Sequence, residues 1–397
     1  MRPSPDATLT PAVARLKSCI GQGVDALETP ALVIDVEALN RNMQRMTEFA
    51  AKHRVRLRPH AKTHKSGDIA HLQLQAGAVG VCVQTVAEAE ALAARGVKDI
   101  FISNQVLAVP RLRRVAALAH QLAQRGGRLA IAVDSGEGVT RLAQAMNLTN
   151  KPIDVFLEID VGQGRCGVPV GEAVVVLARL IADHAPRLHF AGLHAYHGGA
   201  QHVRSVAERR MAVSVAAERV AEARDLLRGA DIEVPLVTGA GTGSFGQEAA
   251  SGLWGELQAG SFIFMDADYA LNERDPAQPV FEHALFLKSQ VISARGEQVV
   301  VDAGHKSHAV DSGLPLVHSL PGQPAMVYAN GGDEHGILRL ADGAEGQLPA
   351  LGDTVWLIPG HCDPTVNLHD AMFAVRDGLA GGVVESIVWV DARGYTG

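Results

Sequence analysis

Hydrophobic and polar positions alternate between two rhythms along this chain. Short apolar runs occur at VRLRPH (55–60), AVGVCV (78–83), DIFIS (99–103), RLAIAVD (128–134), IDVFLEID (153–160), RLHFAGLHAY (187–196), EVPLVTG (233–239) and ELQAGSFIF (256–264). Several are continuously apolar, the pattern of strands buried on both faces. Between them the period lengthens. Leu39, Met43, Met46 and Phe49 recur at spacings of 4, 3 and 3, and residues 203–229 carry one long helical pattern. Eight such units in about 210 residues predict an α/β protein built on a (β/α)8 barrel, whose strands close without a free edge. A doubly wound sheet is the alternative, but no GxGxxG opening follows the first strand.

After Tyr269 the texture changes. ALFLKSQVIS, QVVVDAG, TVWLIPG and GGVVESIVWV are strand-like and separated by Gly, Pro and Asp turns, with no long helical pattern. A further strand, TPALVID (29–35), precedes the barrel. The expected organisation is a barrel over 36–270 followed by a mostly β stretch over 271–397, with TPALVID able to pair with the barrel.

Composition narrows the possibilities. The 397 residues, 47% hydrophobic, suffice for two cores. A net charge of −7 without a basic stripe argues against nucleic acid. No run approaches the ~18 apolar residues of a membrane span, and the N-terminal stretch lacks the apolar core of a secretory signal. Cys19, Cys82, Cys166 and Cys362 are widely spaced with no CxxC pair, against a disulfide framework or a zinc knuckle. A cytoplasmic protein is expected.

Barrel enzymes work at the C-terminal ends of their strands, and polar residues gather there. RPHAKTHK (58–65) places Lys62 after the first barrel strand; Asp160 to Arg165 follow the fifth; Tyr196, His197 and His202 follow the sixth; GAGTGS (239–244) follows the seventh. A rim lysine is ordinarily a solvated charge. It is also the residue that forms Schiff bases when neighbouring cations lower its pKa, and Arg58, His60, His64 and Lys65 would supply such a field. GAGTGS lacks the GK[ST] ending of a Walker loop. It is either a tight strand-to-helix turn or a ring of backbone N–H groups around a phosphate, with Thr242 and Ser244 adding hydroxyls. A Schiff-base lysine and a phosphate cup together suggest pyridoxal phosphate. In PGHCDPTVNLHD (359–370), His361 and Asp363 would face one way on an extended segment and Cys362 the other. That pair suits Mn or Mg better than zinc; a turn built on Asp-Pro is the alternative.

RPHAKTHK, EIDVGQGRCGV, AYHGGAQH, GAGTGSF, ELQAGSFIFMDADY, DEHG and GHCDPTVNLHD, in that order, resemble the D-threonine aldolase group of fold type III pyridoxal-phosphate enzymes. The wider relatives are D-serine dehydratase, 3-hydroxy-D-aspartate aldolase and alanine racemase. The resemblance spans residues 28 to 395. It implies an alanine-racemase-like barrel plus a β domain made of 1–35, which includes TPALVID, and 271–397, and a homodimer. It assigns Lys62 to the cofactor as an internal aldimine, Arg165 and Tyr196 to its ring, and Gly241, Thr242, Gly243, Ser244 and Tyr269 to its phosphate. His361 and Asp363 match the metal ligands. The dehydratase branch carries cysteine where Asp363 stands, and uses zinc, so this departure favours an aldolase. The implied substrates are D-β-hydroxy-α-amino acids of the D-threonine and D-allo-threonine type, cleaved to glycine and an aldehyde. His202 would be the base and His197 its competitor. Cleavage of 3-hydroxy-D-aspartate to glycine and glyoxylate, or dehydration of D-serine or D-3-hydroxyaspartate, stays open.

Overall fold

The structure, a computed structural model, describes residues 11–394. The chain forms two compact units: one comprises 43–262 with 269–281, the other the residues up to 42 with 263–268 and 282–393. The division is therefore not a single break after 270. Residues 263–268 go with the second unit because Ala284 N donates to Phe264 O (2.7 Å) and Ala267 N to Pro359 O (3.0 Å).

In the first unit every expected run contributes a strand. Numbering in chain order after β1 (Ala31–Asp35), these are β2 (Arg56–Leu57), β3 (Val81–Val83), β4 (Asp99–Ile102), β5 (Arg128–Val133), β6 (Ile153–Glu158), β7 (Leu188–Ala195), β8 (Val237–Gly239) and β9 (Glu256–Leu257). All the pairings are parallel, in the order β2-β9-β8-β7-β6-β5-β4-β3. A bridge between His60 and Cys82, with Val79 N donating to Leu57 O (2.8 Å), joins β2 to β3 and removes the free edge.

The apolar runs divide by parity, as the two-residue period of a strand requires. Ile100, Ile131, Val155, Leu157 and Leu193 share one core with helical residues such as Val86, Leu92, Leu112 and Leu142. Their neighbours Cys82, Phe101, Ala130, Ala132 and Phe156, with Ala191 at the irregularity in β7, form a separate cluster with no helical member, the packed interior of the barrel. The residues of 203–229 become the helix Val206–Gly229, opened by Ser205, whose hydroxyl accepts from Glu208 N.

The second unit is mostly β. Strands β10 (Leu285–Arg295), β11 (Gln298–Val301), β12 (Leu316–His318), β13 (Met326–Asn330), β14 (Gly336–Leu340), β15 (Thr354–Ile358), β16 (Ala371–Arg376) and β17 (Val383–Trp389) join β1 in one sheet. Its main order is β13-β14-β11-β10-β1-β16-β17. TPALVID thus lies in this sheet, with β1 antiparallel to β10 and parallel to β16. Beyond residue 270 the only helix among the described residues is Cys362–Val366. No helix of the described residues is long and apolar enough to cross a membrane.

Candidate active site

The barrel unit carries a cavity at the C-terminal ends of its strands. Lys62, Arg165, Tyr196, Gly241, Thr242 and Tyr269 line it, together with His60, Gln84, Ser103, His194, Gln258 and Ser261. Arg165 and Tyr196 approach each other, with the guanidinium carbon 5.8 Å from the ring centroid.

Local chemistry explains how Lys62 is presented. Residues Ala61–Thr63 form a single 3-10 turn whose N-cap is His60. His60 Nδ1 accepts from Lys62 N (3.3 Å), and His60 Nε2 lies 3.2 Å from Ser103 Oγ. Ser103 Oγ donates to Val83 O (3.3 Å), so the ring proton belongs on Nε2. On the other flank His64 Nδ1 accepts from Ser66 N (3.1 Å). The histidines either side of Lys62 therefore cap turns. The expected cationic field is not built from these groups. Each imidazole uses Nδ1 as an acceptor, Arg58 is engaged by Glu256 (3.0 Å) and Asp99 (2.5 Å), and Lys65 pairs with buried Glu88 at 3.3 Å. Lys62, not Lys65, is the amine at the cavity.

The glycine loop follows β8 through Ala240, a non-glycine residue at φ +70°. Such strain concentrates where a fold aims backbone at a ligand. Gly241 and Thr242 line the cavity; Gly243 and Ser244 do not. Gly243 N donates to Gln201 Oε1 (2.9 Å), and the Ser244 hydroxyl donates to Glu248 Oε1 (2.7 Å) while accepting from Gln201 Nε2 (2.7 Å). Half of the expected phosphate cup is thus committed to protein partners.

The two histidines of AYHGGAQH differ. His202 is exposed, with its ring centroid 5.2 Å from that of Tyr269. His197 is half-buried against the loop after β6: a side chain at Gly162 would come within 3.0 Å of its Nε2. Burial lowers its pKa, with Arg219 adding to the effect and Asp160 opposing it. Sequence reasoning missed His194, buried in the cavity wall with Nδ1 3.6 Å from Glu158 Oε2. Burial pushes the Glu158 carboxyl up, but His194, Gln105 and Arg165 outweigh it and hold the pKa below its ordinary value. The apolar run LHFAGLHAY masks His194 as a strand residue. Its even spacing from Tyr196 is the one signal that the two share a face.

The second unit holds His361 and Asp363. The expected extended segment is instead a helix start: His361 is extended (φ −142°), and Cys362–Val366 is helical. Pro364 tolerates the first turn because its missing N–H would have no helical partner there. His361 Nε2 and Asp363 Oδ2 still converge to 4.0 Å, and His361 Nδ1 is held by Asp311 Oδ2 at 2.7 Å. Cys362 points away, donating its thiol to Met265 O (3.3 Å); burial raises its pKa well above the ordinary value, so it supplies no thiolate. Among the described residues no group of three or more His, Cys, Asp and Glu side chains is arranged to hold a metal. The pair fits a hard or borderline divalent ion that keeps water in its other positions.

A closed parallel barrel with a lysine at its first strand end, followed by a mostly β unit, defines the alanine-racemase-like class. Residues 34–268 match the family model for the alanine racemase N-terminal domain, and 284–375 match a putative serine dehydratase domain. The chain is 43% identical over 377 residues to a D-threonine aldolase from an Arthrobacter species, covering 95% of each. It is 40% identical over 380 residues to a 3-hydroxy-D-aspartate aldolase from Paracoccus denitrificans, covering 94% of each. The crystal structure of D-threonine aldolase from Filomicrobium marinum superposes with a TM-score of 0.89 at 42% identity, covering 94% of this chain and 98% of that one. The chain belongs to the D-threonine aldolase group of fold type III pyridoxal-phosphate enzymes, the family its motifs resemble.

Proposed function

We propose that this protein cleaves D-β-hydroxy-α-amino acids of the D-threonine type to glycine and an aldehyde, using pyridoxal phosphate and a divalent metal ion. The carrying observation is that Lys62 alone of the motif's two lysines opens into a cavity shared with Arg165, Tyr196 and Thr242, while Lys65 is tied to Glu88. That donor set fits the cofactor: an amine for its aldehyde, a cation and an aromatic ring for its face, and hydroxyl and backbone donors for its phosphate. When bound, pyridoxal phosphate supplies a ring that accepts the electrons left on Cα as Cα–Cβ breaks.

The chain's own residues do the rest. Lys62 would hold the cofactor through its side-chain amine. Arg165 and Tyr196 would hold its ring, and Gly241, Thr242 and Tyr269 its phosphate end, with Gly243 and Ser244 acting behind them through Gln201. His202 takes the β-hydroxyl proton; its exposed ring beside Tyr269 favours it over His197, which packs under the Gly162 loop. His361 and Asp363 would hold Mn or Mg, whose Lewis acidity assists loss of that proton. The carboxylate at 363 and the buried, protonated Cys362 favour cleavage over a zinc-dependent dehydration. The resemblance also carries a homodimer, to be read by light scattering, while the four widely spaced cysteines support a cytoplasmic location.

Product analysis tests this. Incubation with D-threonine and with D-3-hydroxyaspartate should give glycine plus acetaldehyde or glyoxylate without chelator, and neither product with it. Ammonia and a keto acid would mean a dehydratase, and preferential turnover of L-threonine would refute the reading.

A further inference from the structure

Gln201, the residue before His202, is fully buried and uses every polar atom of its side chain. Its Nε2 donates to His197 O (3.1 Å) and to Ser244 Oγ (2.7 Å), and its Oε1 accepts from Gly243 N (2.9 Å). Its carbonyl accepts from Asn272 Nδ2 (2.9 Å). One side chain therefore joins the glycine loop 240–244 to both ends of the turn that carries His202. The glycines record the same contact. A Cβ on Gly241 would lie 2.4 Å from Gln201 Oε1, and one on Gly243 would lie 2.3 Å from Gln201 O. On this side of the loop, then, the space a Cβ would need is occupied by Gln201.

From this geometry we infer that Gln201 is a positioning residue that couples occupation of the glycine loop to the placement of His202. A loop that fixes its own backbone around a phosphate also fixes Gly243 N–H and Ser244 Oγ. Through the rigid amide of Gln201 these hold His197 O and so the turn Gly198–His202. The coupling is reciprocal by linkage: a turn left loose weakens binding at the loop. The inference rests on reading the loop as the phosphate site.

Hydrogen exchange with and without pyridoxal phosphate separates the two ideas, using the parent protein and Gln201→Met, which keeps the length of the side chain and removes its donors and acceptor. In the parent, the cofactor should protect amides in both 240–245 and 197–203. In Gln201→Met, protection at 240–245 should remain and the gain at 197–203 should be lost. kcat on D-threonine should fall about 10²-fold, the scale for a misplaced group, with KM little changed. Equal protection of 197–203 in both proteins overturns the coupling. Protection of neither loop in the parent overturns the phosphate reading and the coupling with it. Should Gln201→Met not fold, Gly241→Ala carries the test. Cofactor affinity lost in Gly241→Ala and regained in Gly241→Ala/Gln201→Ala supports the contact, and a double variant no better than the single one sinks it.

Discussion

Two lysines three positions apart in one short motif have different surroundings, and the difference is local. Lys65 sits at φ +50° and is buried against Glu88, whose other carboxylate oxygen closes the cap of the next helix by accepting from Gln84 N (2.8 Å) and Thr85 N (3.1 Å). Lys62 stands on a turn capped by His60 and faces the cavity. Borohydride treatment of the cofactor-loaded protein should therefore attach the cofactor to Lys62, as read by peptide mass mapping; a label on Lys65 would contradict the assignment. Glu248 offers a second residue-level test. It is buried with Ser244 Oγ on one oxygen, and burial pushes its carboxyl up to about 7, against the opposing pull of that hydrogen bond. Between the ordinary carboxylate range and about pH 7 the folded protein then holds a proton that the unfolded chain releases. Stability must fall as pH rises through that window, and this contribution must level off above it. In Glu248→Gln the fall should vanish, seen as a flatter melting temperature between pH 5 and 7 than in the parent.

At the scale of elements, the barrel is closed partly by charge. Arg58 at the end of β2 reaches Glu256 on β9 (3.0 Å), and Thr238 on β8 donates to the same carboxylate oxygen (2.8 Å). Burial raises the Glu256 pKa, but Arg58 and Arg56 outweigh it and keep the group below its ordinary value. Arg58→Met would leave a buried carboxylate with the half-exposed Arg56 as its remaining cation. It should cost about 3–5 kcal/mol, measured by denaturant unfolding; adding Glu256→Gln should recover much of the loss. This network also marks where the sequence stopped being legible. Hydrophobic parity located all eight barrel strands, because burial on both faces writes a continuous apolar run. It also located TPALVID as a strand, while its sheet followed only from the family resemblance, since strand pairing is a long-range contact. The run ELQAGSFIF overshot β9, whose two residues give way to a 3-10 turn at Ser261–Ile263. Gly260 leads into that turn, where a Cβ would strike His60 O at 2.6 Å. Residue types suggested Lys62 and Thr242, and the resemblance added Tyr269. They could not reveal that Gly243 and Ser244 face Gln201, because an amide inside AYHGGAQH has no chemistry that distinguishes packing from catalysis.

At the scale of the whole molecule, the proposed chemistry is divided between separately built units. Lys62, Arg165, Tyr196 and Thr242 belong to the barrel, whereas His361 and Asp363 belong to the mostly β unit. Retention of cofactor should then be independent of retention of metal. Dialysis against a chelator should abolish cleavage of D-threonine while the visible absorbance of the cofactor persists, and Mn or Mg should restore turnover. The donor chemistry sets which ion returns it. Asp363 is a buried carboxylate, His361 has Nδ1 engaged by Asp311 and Nε2 turned toward Asp363, and the neighbouring thiol of Cys362 is protonated and turned to Met265 O. Asp363→Cys would put a soft ligand in place of a hard one beside His361. The ratio of zinc to Mn affinity should then rise above the parent's by isothermal titration, and the Mn response of the activity should weaken. Full cleavage by chelated protein shown to be metal-free by elemental analysis would remove the metal from the reaction. It would leave His202 to take the proton from a hydroxyl whose pKa lies far above that of an imidazole.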